Sequence, residues 1–585
     1  MKLSAAQALV QFLSAQEIRY DGARIPLLGG VWSIFGHGNV GGLGQALPDV
    51  QDRLPTFRGH DEQAMGHAAI GFAKAWRRRR AMAVTTSIGP GATNLVTAAA
   101  TAHVNRLPLL LLPGDTFADR GPDPVLQQLE HPLGPDISVN DCLRPVARYF
   151  DRIMRPEQLL RSLPEAMRVL TDPVQTGPVV LCLPQDVQAE RGGFPSSFFA
   201  RTLHRFRRPP PETWCLEEAA ARLGRARRAL IIAGGGVRYS RAEESLRKLA
   251  EKRGWPVAVT QAGKGAFPSH HPLSVGSVGV TGTSAANDLL REAEAVLAVG
   301  TRLTDFTTAS ARLVPRAGLS LISVNVHAPD AARHGAFPVV GDARLVLEAL
   351  AGAPTPPADP AWLDRVEAVR EGWTEAVAAA VDAPPDGLPG DAEVVRALAQ
   401  LASPEVTVVA AAGGLPGELH RLWSPQTSDA YLVEYGYSCM GHEIAGALGV
   451  KMALPEREVW ALVGDGSYLM LSSEIATSVA LGVPITVILL DNRGFGCIDR
   501  LDRSLRGAAA PAPGNLRGRP DIDLEAHARS LGARAESVTL PALEDALERA
   551  RAADRSTVLV VRTDPGRSPV LGGAPWRVPS VYGGL

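Results

Sequence analysis

Long apolar runs are missing from this 585-residue chain. The most apolar stretch, at 107–112, has the length of a strand and falls far short of the roughly 18–20 residues needed to cross a bilayer. The opening MKLSAAQALVQFLSAQ is interrupted by Gln7, Gln11 and Gln16. It reads as an amphipathic helix with Leu9, Phe12 and Leu13 inward, not as a secretory signal. Cysteine is scarce: Cys142, Cys182, Cys215, Cys439 and Cys497 are too few and too scattered for a disulfide framework or a CxxC metal site, which points to a reducing compartment. An excess of either charge is also lacking, since 60 Lys+Arg stand against 61 Asp+Glu for a net charge of −1. So balanced a surface argues against a polyanion partner. The expectation is a soluble, cytoplasmic protein that handles a small molecule, with neither nucleic acid nor membrane as partner.

What is present suits a globular enzyme. Apolar residues make up 45% and charged residues 21%, enough to build cores, and at roughly 100–200 residues per domain the length predicts about three or four domains. Two composition shifts divide the chain. RRPPPETW at 207–214 cannot continue a helix or central strand. At 351–391, APTPPADP and APPDGLPGD bracket a helical pattern over 362–380. The blocks left are 1–190, 215–350 and 390–570. Each alternates short β-branched runs with helix-length stretches, the pattern of parallel α/β layers. Strands are expected at 81–86, 107–113 and 178–183; at 229–233, 256–260, 295–299 and 321–326; and at 406–410, 459–463, 484–490 and 557–561. The fold class is therefore α/β, as three doubly wound parallel-sheet domains.

Chemistry concentrates in VWALVGDGSYLMLSSEIATSVALGVPITVILLDNRGFG at 459–496. One strand ends in Gly464-Asp465-Gly466-Ser467, with a helix expected from about Ser472, and a second ends in Asp491-Asn492-Arg493-Gly494. Parallel strands deliver their C-terminal ends to one edge, so Asp465 and Asn492 should sit side by side although 27 positions apart. A carboxylate, an amide oxygen and a backbone carbonyl are hard donors suited to Mg²⁺ or Ca²⁺. Gly464 and Gly466 let the backbone approach an anion at a helix start. These residues predict a metal-bridged diphosphate.

GDG followed at that distance by an asparagine resembles the thiamin-diphosphate motif of the acetolactate-synthase-like enzymes. The resemblance implies that Asp465, Asn492 and the Gly494 carbonyl hold Mg²⁺. It also implies a domain order of pyrimidine-binding, central and diphosphate-binding, and active sites at the subunit interface of a homodimer or homotetramer. RGHDEQAMGHAAIGFAKA at 58–75 resembles the family's glutamate segment. It implies that Glu62 bonds a pyrimidine ring nitrogen and favours the imino tautomer, a role both catalytic and cofactor-binding. In EYGYSCMGHEIAGALG at 434–449, Met440 matches the bulky residue that props the cofactor into its bent shape. Gly413, Gly414, Leu415, Gly464, Gly466, Ser467 and Asn492 complete the implied cofactor-binding set.

Within that family, IFGHGNVGGLGQAL at 34–47, the segment 85–115, PDPVLQQLEHP at 122–132, AAGGLPGELHRLW at 411–423 and GDGSYLML at 464–471 resemble one subgroup. Its members open 3D-(3,5/4)-trihydroxycyclohexane-1,2-dione to 5-deoxy-glucuronate in myo-inositol breakdown. The alternative is a carboligase or decarboxylase acting on pyruvate or another 2-oxoacid. A polyhydroxylated ring needs polar recognition, and His37 of the GHGN turn could orient a hydroxyl or shuttle a proton. Gln127 resembles a family position near the substrate, so His37 and Gln127 join Glu62 as catalytic candidates. His67 and His103 lie in small-residue helix patterns and are expected to be packed. Gly234-Gly235-Gly236 lacks the GxGxxG spacing and a ribose-binding acid, so a structural turn is expected there and FAD is not. The run Arg77 to Arg80 reads as a solvated helix end. The chain closes on VPSVYGGL, where members of the subgroup commonly carry further residues.

Overall fold

The computed structural model describes residues 1–132, 134–382, 387–506, 520–567 and 571–579, so most of VPSVYGGL lies outside the described residues. The alternation of apolar runs and helices resolves into three principal sheets. The first comprises β1 (Leu28–Ser33), β2 (Thr56–Arg58), β3 (Ala81–Thr86), β4 (Leu109–Asp115), β5 (Tyr149–Arg152) and β6 (Pro178–Pro184). The second comprises β7 (Ala229–Ala233), β8 (Val257–Val259), β9 (Ser274–Ser277), β10 (Ala295–Val299), β11 (Ser320–Asn325) and β12 (Phe337–Val340). The third comprises β13 (Val406–Val409), β14 (Glu458–Gly464), β15 (Thr486–Asp491), β16 (Arg534–Val538) and β17 (Thr557–Arg562).

Their orders are β2-β1-β3-β4-β6-β5, β9-β8-β7-β10-β11-β12 and β13-β14-β15-β17-β16, and every pairing within them is parallel. Parallel strands are covered by helices on both faces, which is why the central ones are mostly apolar and buried along their whole length, as in β3, β4, β7 and β10. The opening residues form the amphipathic helix α1 (Ala5–Ser14), with Leu9, Phe12 and Leu13 buried.

Helices α2 (Glu62–Ala75) and α3 (His442–Ala453) join the first and third sheets. They cross in direct contact, with Gln63 beside Cys439, His67 beside His442, Gly71 beside Gly446 and Ala68 beside Gly449. A Cβ on Gly71 would overlap the Gly446 carbonyl, and one on Gly449 would overlap the Ala68 carbonyl. Small residues on both helices thus let main chain touch main chain. Because close-packed interiors do not absorb an added methyl group, Gly449→Ala should cost about 1–3 kcal/mol. A lowered thermal unfolding midpoint of the purified protein checks this, and an unchanged midpoint would contradict the packing. His67 and His442 are fully buried at this seam, their Nδ1 atoms 3.2 Å apart, and desolvation holds both well below the ordinary histidine range.

The arginine run departs from the expected solvated helix end. After α2, Arg77 and Arg78 adopt left-handed backbone (φ 52° and 64°) just before the chain enters β3, and their side chains reach the central domain. Arg77 pairs with Asp429 (3.0 Å) and Glu243 (3.2 Å), and the Arg78 guanidinium lies 3.6 Å over the Tyr239 ring. Desolvation pulls Arg78 and Arg79 down to about 10. These side chains, with Arg106 and Arg302, line a cavity of about 500 Å³ at the C-terminal ends of β7, β10 and β11. Gly236 of the glycine triplet packs on Gly300, where a Cβ would come within 2.6 Å of the Gly300 Cα. That contact accounts for glycine at this turn.

Candidate active site

Two groups of predicted residues gather at strand C-termini, one on the first sheet and one on the third. On the first, the strand order reverses between β1 and β3, which opens a crevice. Glu62 is the first residue of α2. Asp61 caps the helix, its Oδ1 accepting the Ala64 N–H at 2.8 Å. The Asn94 amide donates to both Asp61 Oδ2 (2.9 Å) and Glu62 Oε2 (3.0 Å), so the glutamate carboxylate is held from a neighbouring loop. It lines a cleft of about 600 Å³ together with His37, Ser87, Thr93, Asn94 and Gln127.

The turn carrying His37 is built by Asn39. Its buried amide accepts the Gly36 N–H (2.9 Å) and donates to Thr85 Oγ1 (3.1 Å), which leaves His37 exposed at the cleft. Gln127 has left-handed backbone (φ 63°), and its carbonyl rests where a Cβ on Gly89 would stand. The three residues predicted as catalytic therefore meet in one cleft. All the residues lining it fall between Gly36 and Gln127, so none comes from the third sheet.

On the third sheet, Gly464 pairs with Leu490 across β14 and β15, so the chain leaves both strands side by side into Asp465 and Asp491-Asn492. Asp465 begins α4 (Asp465–Met470) directly, earlier than the helix expected from about Ser472. The region near Ser472 is instead a break before α5 (Glu474–Leu481). The Asp465 carboxylate is fully buried. Asn492 Oδ1 accepts the Gly494 N–H at 3.2 Å, which folds the DNRG turn on itself with Arg493 left-handed (φ 57°). Asp491 is occupied structurally, bonded by Arg562 at 3.0 Å. The Phe495 ring covers Gly466, 2.7 Å from where its Cβ would be.

The third strand end, after β13, carries Gly413 with a left-handed φ of 76°, then Gly414 and the buried Leu415. A Cβ on Gly414 would stand 2.6 Å from Arg500 Nη2. Met440 is half-buried in the turn entering α3, where Gly441 has φ 88°. The donor chemistry fits a divalent cation carrying a diphosphate. The set offers one buried carboxylate and an amide oxygen, and Gly413 and Gly464 have open space on their Cβ sides. Among the described residues no group of three or more His, Cys, Asp or Glu is placed to hold a metal ion, so a metal here would rest on few protein side chains, as Mg²⁺ does.

Sequence reasoning did not single out Ser87, Thr93, Asn94 or Glu443. The first three lie in the quoted segment 85–115. Glu443 was visible as a carboxyl at the start of a helix rich in small and apolar residues, where a buried carboxyl must be satisfied by hydrogen bonds. Burial pushes it up to about 7.

Three adjoining parallel-sheet units with glycine-bearing turns at their strand ends define a class of cofactor enzyme, and family models identify it. They match residues 30–132 as the N-terminal TPP binding domain of the thiamine pyrophosphate enzymes, 216–350 as the central domain and 411–561 as the C-terminal TPP binding domain. The chain belongs to the thiamine pyrophosphate enzyme family. Its similarity to curated relatives is narrower. It is 46% identical to the 3D-(3,5/4)-trihydroxycyclohexane-1,2-dione hydrolase of Geobacillus thermodenitrificans, over 86% of this chain and 82% of that one. It is 43% identical to the hydrolase of the same name from Clostridium tetani, with the same coverage. With that of Bacillus anthracis it shares 42% identity over 97% of this chain and 93% of the relative.

Proposed function

We propose that this protein is a thiamin-diphosphate-dependent hydrolase that opens a cyclic 1,2-dione, 3D-(3,5/4)-trihydroxycyclohexane-1,2-dione, at a carbon–carbon bond to give an open-chain acid. The observation that carries this reading is the 42–46% identity to hydrolases of that name across most of the chain. The first-sheet cleft agrees with it. His37, Ser87, Thr93 and Gln127 line it with polar groups, and a polyol ring needs such partners.

Thiamin diphosphate, when bound, supplies a nucleophilic carbon that attacks a carbonyl and then accepts the electron pair of the breaking bond. This chain's residues would do the rest. Asp465 and the Asn492 amide oxygen, with the Gly494 carbonyl, would hold Mg²⁺ against the diphosphate. Gly413, Gly414, Leu415, Gly464, Gly466 and Ser467 would form the surrounding walls, with Met440 beneath. Glu62, kept in place by Asn94, would bond the pyrimidine ring and pass a proton at its carboxyl oxygen. His37 and Gln127 would orient ring hydroxyls. The Glu62 cleft draws no residue from the third sheet, which supports a homodimer or larger homo-oligomer in which one protomer's first sheet faces its partner's third.

The second reading, a carboligase or decarboxylase of 2-oxoacids, shares the cofactor and differs in the cleft. Incubation with thiamin diphosphate and Mg²⁺ should convert the dione to the ring-opened acid without release of CO₂. Acetolactate or CO₂ from pyruvate, with the dione untouched, would favour the second reading.

A further inference from the structure

Glu443 is the second residue of α3 and only 1% exposed. Acids near helix starts commonly satisfy nearby N–H groups at the solvent edge. This one is buried and reaches three separate segments. Its Oε2 accepts the Gly441 N–H (3.0 Å) and the Ser467 hydroxyl (2.8 Å), while its Oε1 accepts the Ala412 N–H (3.3 Å). Ala412 precedes the Gly413-Gly414 turn, Gly441 follows Met440, and Ser467 closes the Gly-Asp-Gly-Ser turn. Every one of these segments belongs to the cradle assigned to the diphosphate.

Ser467 sharpens the point. A serine hydroxyl has one proton to give, and here Glu443 takes it. The hydroxyl oxygen in turn accepts the Gly441 N–H at 2.7 Å. In this arrangement the hydroxyl is engaged on both sides by the cradle, and what Ser467 offers outward is its backbone. Burying a carboxyl is costly unless its hydrogen bonds are complete, and an exposed Ser or Asn would cap a helix without that cost.

Resting on the thiamin-diphosphate reading, we infer that Glu443 is a positioning residue that locks the Ala412–Gly414 turn, the Met440–Gly441 turn and the Ser467 turn into one preformed cofactor cradle, with the Ser467 hydroxyl acting as its strut and not as a phosphate ligand.

Calorimetric titration of thiamin diphosphate at saturating Mg²⁺ into the full-length protein tests this. Glu443→Ala and Ser467→Ala should each weaken cofactor binding about tenfold, the effect typical of removing a residue that orients a binding group. Because both act through one contact, the double variant should bind no more weakly than the weaker single one. Glu443→Gln keeps an oxygen for Gly441 and Ser467 but turns its amide against the Ala412 N–H, so it should bind between wild type and Glu443→Ala. Additive losses in the double variant, or binding by Glu443→Ala equal to wild type, would overturn the inference. Should Glu443→Ala fail to fold, wild-type affinity in both Glu443→Gln and Ser467→Ala would do the same. Wild-type protein that takes up no thiamin diphosphate would overturn the functional reading itself, and the two failures are thereby told apart.

Discussion

Replacing Glu62 with glutamine is expected to lower dione turnover about a thousandfold or more while cofactor affinity largely survives. The substitution preserves shape. Asn94 can still donate to the amide oxygen of the new side chain, and Asp61 still caps α2 through Ala64. What disappears is a group that can both hold and release a proton next to the pyrimidine. The measurement is steady-state turnover of the dione set beside a titration of thiamin diphosphate. Turnover within tenfold of wild type would show that the carboxyl has no part in proton transfer. Loss of the cofactor together with activity would show that its part is in binding alone.

Asp465→Ala should act in the opposite order, abolishing binding before chemistry. The carboxylate is fully buried at the start of α4, beside the turn that carries Asn492. It is the only charged member of the proposed metal set. Removing a residue that merely orients a metal ligand costs about 10–100-fold in affinity, so loss of a charged ligand should cost at least about a hundredfold. Titration with and without Mg²⁺ reads this directly, and circular dichroism checks that the fold persists. A variant whose affinity for thiamin diphosphate at saturating Mg²⁺ matches wild type would remove Asp465 from the metal site.

Much of this architecture was legible because buried parallel strands announce themselves as short apolar runs. The strands at 81–86, 229–233 and 295–299 fall where the pattern put them, and the others differ by a residue or two at their ends. The strands that escaped are of a different kind. β1 contains Gly29 and Gly30, which weaken a strand signal, and both are closely packed: a Cβ on Gly29 would meet the Phe72 ring and one on Gly30 the Pro55 carbonyl. β2, β5 and β16 are short or lie at sheet edges, with half-exposed residues that carry little apolar signal.

The site shows the same division. The turns bearing Asp465 and Asn492 could be placed together from the sequence, since parallel strands fix which edge their C-termini share. Nothing local shows that Asn94 would clasp Glu62, because that bond joins a helix start to a turn 32 positions on. The arginines after α2 looked like a water-facing run. Two left-handed residues turned them inward, and backbone handedness at non-glycine residues leaves little trace in composition.

Main chain pressed on main chain at Gly446 and Gly449 leaves no side chain able to swing aside and take up sliding between α2 and α3. The outer two sheets of a protomer must then travel together as a single casting. Within each protomer the seam therefore holds the helix starts that carry Glu62 and Met440 at a set spacing, one facing each of two neighbouring sites.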